Sequence, residues 1–152
     1  MTFDIRFDDR TGTITIVQQG NEYDFRPRLG DWRFDDFILN WGFAAYDLID
    51  DYGEQFLPLE PLSVQGDHPL EVLRCVRGDD DLVVIEERLV HQAVLTPGAD
   101  QPYGAIDSYA GLEDAPQKLP GGTLTVGLRD LEKWHFGEFQ DLLKKILDNR
   151  SR

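Results

Sequence analysis

Four carboxylates in the middle of the chain have a spacing at which side chains can act together. Asp47, Asp50, Asp51 and Glu54 recur at positions i, i+3, i+4 and i+7, which places them on one face if the segment is an α-helix. Such an acidic ridge can accept hydrogen bonds from Arg and Lys side chains of a partner. It could also supply oxygen ligands to a hard divalent cation, but helical metal sites usually draw ligands from a facing element as well. We therefore expect a partner-binding surface rather than a metal site, with an ordinary solvated helix face as the alternative.

Two further groups of residues are candidates for contact with the same partner. Asp79, Asp80 and Asp81 follow a glycine between two apolar segments, a composition typical of an exposed hairpin turn. Tyr103 and Tyr109 fall in a segment rich in Pro and Gly, and aromatic side chains on such a loop can serve as interface anchors. Both groups are candidates to add contacts to those of the acidic ridge, with a plain hydrophilic hairpin turn as the favoured alternative for the three aspartates.

An enzymatic interpretation depends on Glu87 and His91, which would share a face on a β-strand and could act as an acid–base pair. In this alternative the chain is a small carboxylate- or metal-dependent hydrolase that uses the acidic ridge, with His91 as the base. The sequence has no phosphate loop, dinucleotide fingerprint, G-x-S-x-G elbow or H-E-x-x-H motif. His135 with Glu138 lacks the matching half of a carboxylate metal motif, and the single Cys75 is expected to be a buried, unreactive thiol. We therefore expect no catalytic residues, metal or cofactor.

The charge of the chain is strongly acidic and concentrated in its middle. The 152 residues carry a formal net charge of −14, to which residues 29–69 contribute −8 and residues 70–128 contribute −6. Binding to nucleic acid or to an anionic membrane is disfavoured because both need Lys and Arg, whereas a basic protein would be attracted from a distance. The alternative is genome-wide or salt-adaptive bias, which would leave an acidic structural or adaptor domain with no basic partner.

The pattern of apolar residues predicts a single α+β domain over residues 1–152. Alternating apolar residues predict an antiparallel sheet, built from a three-stranded meander over 2–27 and a hairpin of 70–77 with 82–95. Apolar stripes at spacings of three and four predict two amphipathic helices packed against the sheet. The first begins after Asp31 and ends near Gly53, and the second is C-terminal. The remaining segments are predicted as an extended connector over 56–69, a long loop over 96–122 and a last strand over 123–128.

These observations favour a non-enzymatic acidic binding protein. The sequence has no apolar run long enough for a membrane span and no secretory signal at its N-terminus, so we expect a cytoplasmic protein. The most specific hypothesis is an intracellular bacterial immunity-type inhibitor that blocks the basic active site of a cognate toxin. No oligomeric state is predicted.

Overall fold

The computed structural model describes residues 3–50, 53–62, 69–96, 104–115 and 117–151. They form an α+β fold with two antiparallel sheets, which confirms the predicted fold class. The strands are β1 (Phe3–Asp8), β2 (Thr13–Gln18), β3 (Asn21–Phe25), β4 (Glu54–Pro58), β5 (Leu70–Arg77), β6 (Leu82–Leu95), β7 (Ile106–Asp114) and β8 (Thr123–Gly127). The helices are α1 (Phe34–Asp50), α2 (Leu128–Trp134) and α3 (Gln140–Arg150), and a π-helical turn over His135–Phe139 joins α2 to α3.

The first sheet is the meander β1–β2–β3 that the sequence predicts. Ile5 pairs with Ile16, and Ile14 pairs with Phe25 on the next strand. All four side chains are buried, because every second residue of a strand points to the same side. The meander therefore packs one face onto the core.

The second sheet has the strand order β4–β5–β6–β7, and β8 also pairs with β6. The predicted hairpin is present as β5 and β6, and the predicted last strand is β8. β5 occupies one edge of β6. On the other edge β8 pairs with Leu82–Glu86 and β7 pairs with residues from Arg88 to Leu95. The 14 residues of β6 thus hold three other strands in place.

Two segments that were predicted to be a connector and a loop contain strands instead. β4 (residues 54–58) overlaps the start of the connector predicted over 56–69, and residues 106–114 form β7 within the loop predicted over 96–122. Neither segment has a strong alternation of its own, and each is held by pairing with a neighbouring strand. Gly111 looks like a loop residue in the sequence, but it has a φ of +71° and lies so close to His91 that a Cβ there would be 2.9 Å from the His91 Cβ.

Helix α1 begins after Arg33 rather than after Asp31. The Asp36 carboxylate accepts a hydrogen bond from the Arg33 backbone N–H over 2.8 Å, which satisfies a donor that the helix itself leaves free. Inside the fold, the Trp41 side chain is fully buried and its Nε1–H donates to the Pro58 carbonyl on β4 over 2.9 Å. The helix is therefore fixed against the second sheet by its predicted apolar stripe.

The other end of α1 is held by a residue from the second sheet. Nη1 of Arg77 on β5 donates to the carbonyl oxygens of Leu48 and Ile49 over 2.9 and 2.8 Å. These carbonyls belong to the last turn, where backbone acceptors have no partner within the helix. No helix in the described part of the chain is long and apolar enough to cross a membrane.

Candidate functional site

The outward side of α1 combines aromatic and acidic side chains in one row. Phe43, Tyr46, Asp47 and Asp50 recur at i, i+3, i+4 and i+7, and all four are exposed. Trp41, which belongs to the apolar stripe of the same helix, is fully buried. Asp47 and Asp50 of the predicted acidic ridge are therefore on the surface, and two aromatic residues that the prediction did not include stand beside them.

A third exposed aromatic residue, Phe136, comes from the π-helical turn. Tyr46 and Phe136 each contact the ring of His135, with centroid separations of 5.6 and 4.8 Å. We call the surface formed by Phe43, Tyr46, Asp47, Asp50 and Phe136 the aromatic–acidic face. Among the aromatic side chains that the structure describes, only its three are exposed, at 39% for Phe43, 44% for Tyr46 and 56% for Phe136.

The aromatic–acidic face exists because α1 and the π-helical turn pack closely. The Phe139 ring lies directly on Gly42, where a Cβ would be only 1.8 Å from the Phe139 Cζ. His135 and Phe139, four residues and about one helical turn apart, lie on the same inward side. Phe136 is left on the outside, next to the exposed row of α1.

His135 forms the floor beneath the exposed rings. Its side chain is buried, and its Nδ1 has no hydrogen-bond partner among the described residues. Burial lowers the pKa of His135, against the opposing effect of a hydrogen bond with the backbone of Gly42. The imidazole is therefore neutral at physiological pH and packs as an aromatic ring rather than as a cation.

The two carboxylates of the face, those of Asp47 and Asp50, have no ion-pair partner in the part of the chain that the structure describes. Partial burial, followed by the charge of Asp50, raises the pKa of Asp47. Both residues lie in the C-terminal half of α1, whose last turn has no basic residue. That end of a helix favours cations, so both carboxylates cost stability where they stand.

Glu54 does not belong to this surface, and its predicted place on the helix is wrong. Helix α1 ends at Asp50, and Glu54 is the first residue of β4. Its carboxylate accepts hydrogen bonds from Nε of Arg74 and, over 2.8 Å, from the hydroxyl of Tyr109. Glu54 is thus held inside the second sheet.

Arg74 is the centre of an ionic network on that sheet. Its Nη1 also donates to Glu86 over 3.1 Å, and Glu86 accepts a second hydrogen bond from Arg88 at the same distance. Burial alone would raise the pKa of Glu86, but the hydrogen bonds from Arg88 and Arg74 lower it below the ordinary value. Tyr109 is on β7 rather than on a loop, is half-buried, and packs edge-on against Phe56 at 5.2 Å.

The acidic turn between β5 and β6 has the predicted hairpin geometry. The Gly78 N–H donates to the Leu82 carbonyl, and Asp81 has a φ of +57°. Asp79, Asp80 and Asp81 are exposed. Arg77, which binds the last carbonyls of α1, immediately precedes this turn, so the turn lies beside the C-terminal end of α1. Asp51 and Tyr103 lie outside the described residues.

The residues of the enzymatic alternative are engaged with different partners. The buried Glu87 carboxylate accepts hydrogen bonds from the backbone N–H groups of Lys118 and Leu119. His91 instead lies 3.0 Å from the Glu113 carboxylate, on the exposed surface of β7. Within the described ranges, no group of three or more His, Cys, Asp or Glu residues is placed to hold a metal ion.

The aromatic–acidic face can perform one kind of chemistry well, which is recognition of guanidinium and ammonium groups. Carboxylates accept charge-assisted hydrogen bonds from Arg, and exposed aromatic rings stack against its planar head. The exposure of the two α1 rings could have been predicted from the sequence, because Phe43 and Tyr46 lie outside the apolar stripe of that helix.

Comparison with protein-family models, with curated proteins and with solved structures finds no match for this chain.

Proposed function

We propose that this chain is a non-enzymatic acidic binding protein, an inhibitor of the immunity type that covers the basic active site of a cognate toxin in the bacterial cytoplasm. The observation that carries the proposal is the aromatic–acidic face. Within the described residues, it gathers the three exposed aromatic side chains beside two carboxylates that form no ion pair with Lys or Arg there. Exposed aromatic residues are enriched at the centres of protein interfaces.

The chemistry of the face favours an arginine-rich partner. A guanidinium can bind Asp47 or Asp50 through paired hydrogen bonds and stack on Tyr46 or Phe43 at the same time. Enzymes that act on nucleic acids carry such side chains to neutralise phosphates. An acidic protein surface that satisfies the same cations would exclude the substrate from the toxin's active site.

The two carboxylates also lower the stability of α1, and this loss supports the same proposal. Asp47 and Asp50 repel each other and stand at the unfavourable end of the α1 dipole. Residues that break a local stability rule without a compensating contact are found mainly at functional sites. A partner's cations would supply the missing compensation.

The test uses four versions of the chain as immobilised bait for a low-salt lysate of the cells that encode it. They are the wild type, the charge reversal Asp47→Lys/Asp50→Lys, the aromatic truncation Phe43→Ala/Tyr46→Ala, and the control Asp9→Lys/Asp148→Lys. The control makes the same change in charge at exposed residues of the β1–β2 turn and of α3. Thermal unfolding of each bait comes first, and the charge reversal should be at least as stable as the wild type.

The captured protein is then purified, and its binding kinetics and enzymatic activity are measured with each version. We expect a basic protein that binds the wild type and the control one to one and is inhibited by both. Charge reversal should slow association at least tenfold and weaken its salt dependence, whereas aromatic truncation should mainly speed dissociation. Unchanged kinetics for both face variants, or hydrolytic activity of the chain itself with no basic partner captured, would overturn the proposal.

A further inference from the structure

A second acidic cluster lies on the other side of the C-terminal helical segment, away from the residues of the proposed function. A cleft of about 350 Å³ separates β1 from α2 and the π-helical turn. Its charged lining consists of Asp4 and Arg6 from β1, Asp130 and Lys133 from α2, and Glu138 from the π-helical turn. The cleft therefore lies between the first sheet and the C-terminal segment and is lined by charged side chains from both.

The carboxyl groups of Asp4 and Glu138 are within hydrogen-bonding contact of each other in this cleft. Asp4 Oδ1 is buried and receives no hydrogen bond from a donor among the described residues. A buried carboxylate oxygen without a donor is costly. The Glu138 carboxyl lines the same cleft and can supply a donor when it carries a proton.

The charge environment favours such a proton. The hydrogen bond with Asp4, then burial, then the charge of Asp4 raise the pKa of Glu138 to about 7, with Arg6 opposing and Asp141 adding to the effect. Two carboxyl groups in contact commonly share one proton because they cannot both ionise cheaply. Glu138 is itself exposed at its outer side, so it can exchange protons with solvent.

The other charged groups around the pair do not neutralise it. Arg6 divides its guanidinium between Asp4, at 3.4 Å, and Glu22 of β3, at 3.0 Å, and its side chain is 60% exposed. Lys133 and Asp130 face the cleft from α2, while Lys145 and Asp141 face Glu138 from α3. His135 lies on the same turn as Glu138 but packs against Tyr46. When both carboxyl groups are ionised, the cluster contains five carboxylates, those of Asp4, Glu22, Asp130, Glu138 and Asp141, and three cations, those of Arg6, Lys133 and Lys145.

We propose that Asp4 and Glu138 form a pH-sensitive latch, which is closed when they share one proton and released when the proton is lost at neutral to mildly alkaline pH. The latch ties β1 to the π-helical turn. Next to it, Trp134 Nε1–H donates to the Ile5 carbonyl over 3.2 Å from a buried position, independently of pH. Loss of the shared proton therefore loosens the π-helical turn locally, while the Trp134 hydrogen bond still holds the C-terminal segment against β1.

The sign of the pH dependence follows from the direction of the shift. A group whose pKa is higher in the folded protein than in the unfolded chain contributes stability that is complete below the unfolded value and is lost as the pH rises through the folded value. For Glu138 the loss should therefore begin as the pH rises past the ordinary value for a glutamate and be complete just above pH 7.

The test measures thermal unfolding of the wild type, Glu138→Gln and the matched control Glu132→Gln between pH 5.5 and 8.5. Carbon-13 NMR follows the Glu138 carboxyl of the wild type over the same range. We expect the wild type and the control to lose a few degrees of Tm across this range. Glu138→Gln should lose much less, because its amide donates to Asp4 at every pH, and the Glu138 carboxyl signal should titrate near neutrality.

A second variant keeps the test decisive if Glu138→Gln does not fold. In Asp4→Asn the new amide donates to the ionised Glu138, so the same flattening of the pH profile is expected. The proposal is overturned if the Glu138 carboxyl titrates at the ordinary value for a glutamate. It is equally overturned if either latch variant retains the full pH dependence of the wild type.

Discussion

The hydroxyl of Tyr109 on β7 donates a hydrogen bond to the carboxylate of Glu54 on β4 over 2.8 Å. These strands stand at opposite ends of the order β4–β5–β6–β7, so the sheet must curl for them to meet. Both residues were predicted as contacts for a partner, and that role stays a prediction. The structure gives each of them an intramolecular bond across the curled sheet, with Arg74 between them.

Replacing Arg74 by glutamine should destabilise the protein by about 2 kcal/mol. The change leaves Glu54 and Glu86 facing each other with less compensating charge, and partly buried carboxylates that lose their cation are costly. Urea unfolding at pH 7 measures the effect. The matched control is Arg28→Gln, whose side chain is 66% exposed and, among the described residues, forms an ion pair only with Glu71, at 3.4 Å, so it should cost less than about 0.5 kcal/mol. If both variants lose the same free energy of unfolding, the Arg74 network stabilises the protein no more than a surface ion pair does.

A methyl group at Gly42 should disrupt the packing of α1 on the π-helical turn. Gly42→Ala places a Cβ inside the Phe139 ring, and overpacking of this kind costs about 1–3 kcal/mol. The loss should be visible in Tm and in the aromatic circular dichroism of the folded state.

A substitution at Gly137, in the π-helical turn that packs against α1, should have the opposite effect on stability. A Cβ at Gly137 would meet nothing within 4 Å, so Gly137→Ala should stabilise the helical segment by about 0.5–1 kcal/mol. A Gly42→Ala variant at least as stable as the wild type would contradict the contact between Gly42 and Phe139.

Removing the buried carboxylate of Glu87 should release the segment that precedes β8. Glu87→Ala leaves the backbone N–H groups of Lys118 and Leu119 without their acceptor, at a cost of about 2–3 kcal/mol. Amide hydrogen exchange at these two residues should accelerate well beyond the change at the strand residues of β5. Glu113→Ala, an exposed change on β7, should leave their exchange nearly unaltered, and unchanged exchange in Glu87→Ala would refute the assigned role.

Local patterns predicted the elements that are stabilised locally. The meander, the body of α1 and the β5–β6 hairpin each carry their own periodicity or turn signal. β4 and β7 do not, because their pairing comes from strands elsewhere in the chain, and the close approach of Gly111 to His91 cannot be seen in a sequence. The contact of Arg77 with the last carbonyls of α1 could not be predicted for the same reason, since Arg77 belongs to another element.

The candidate site shows the same division. Exposure of Asp47 and Asp50 follows from the helical period, and Phe43 and Tyr46 could have been found on the same row. Phe136 could not, because its position depends on a π-helical turn and on the contact between Phe139 and Gly42. The apolar pattern of the C-terminal segment predicts it as a core residue, and it is more than half exposed.

The length of β6 bears on how this protein can change over generations. β8 and β7 bind one after the other along the same edge of β6, so β7 and the end of β6 form an arm whose pairs are separate from those of β8 with β6. Insertions, deletions or substitutions in that arm need not alter the register of the pairs between β8 and β6. The pairing of β8 with β6 can therefore stay constant while the arm varies outside Tyr109, whose hydrogen bond to Glu54 ties β7 to β4.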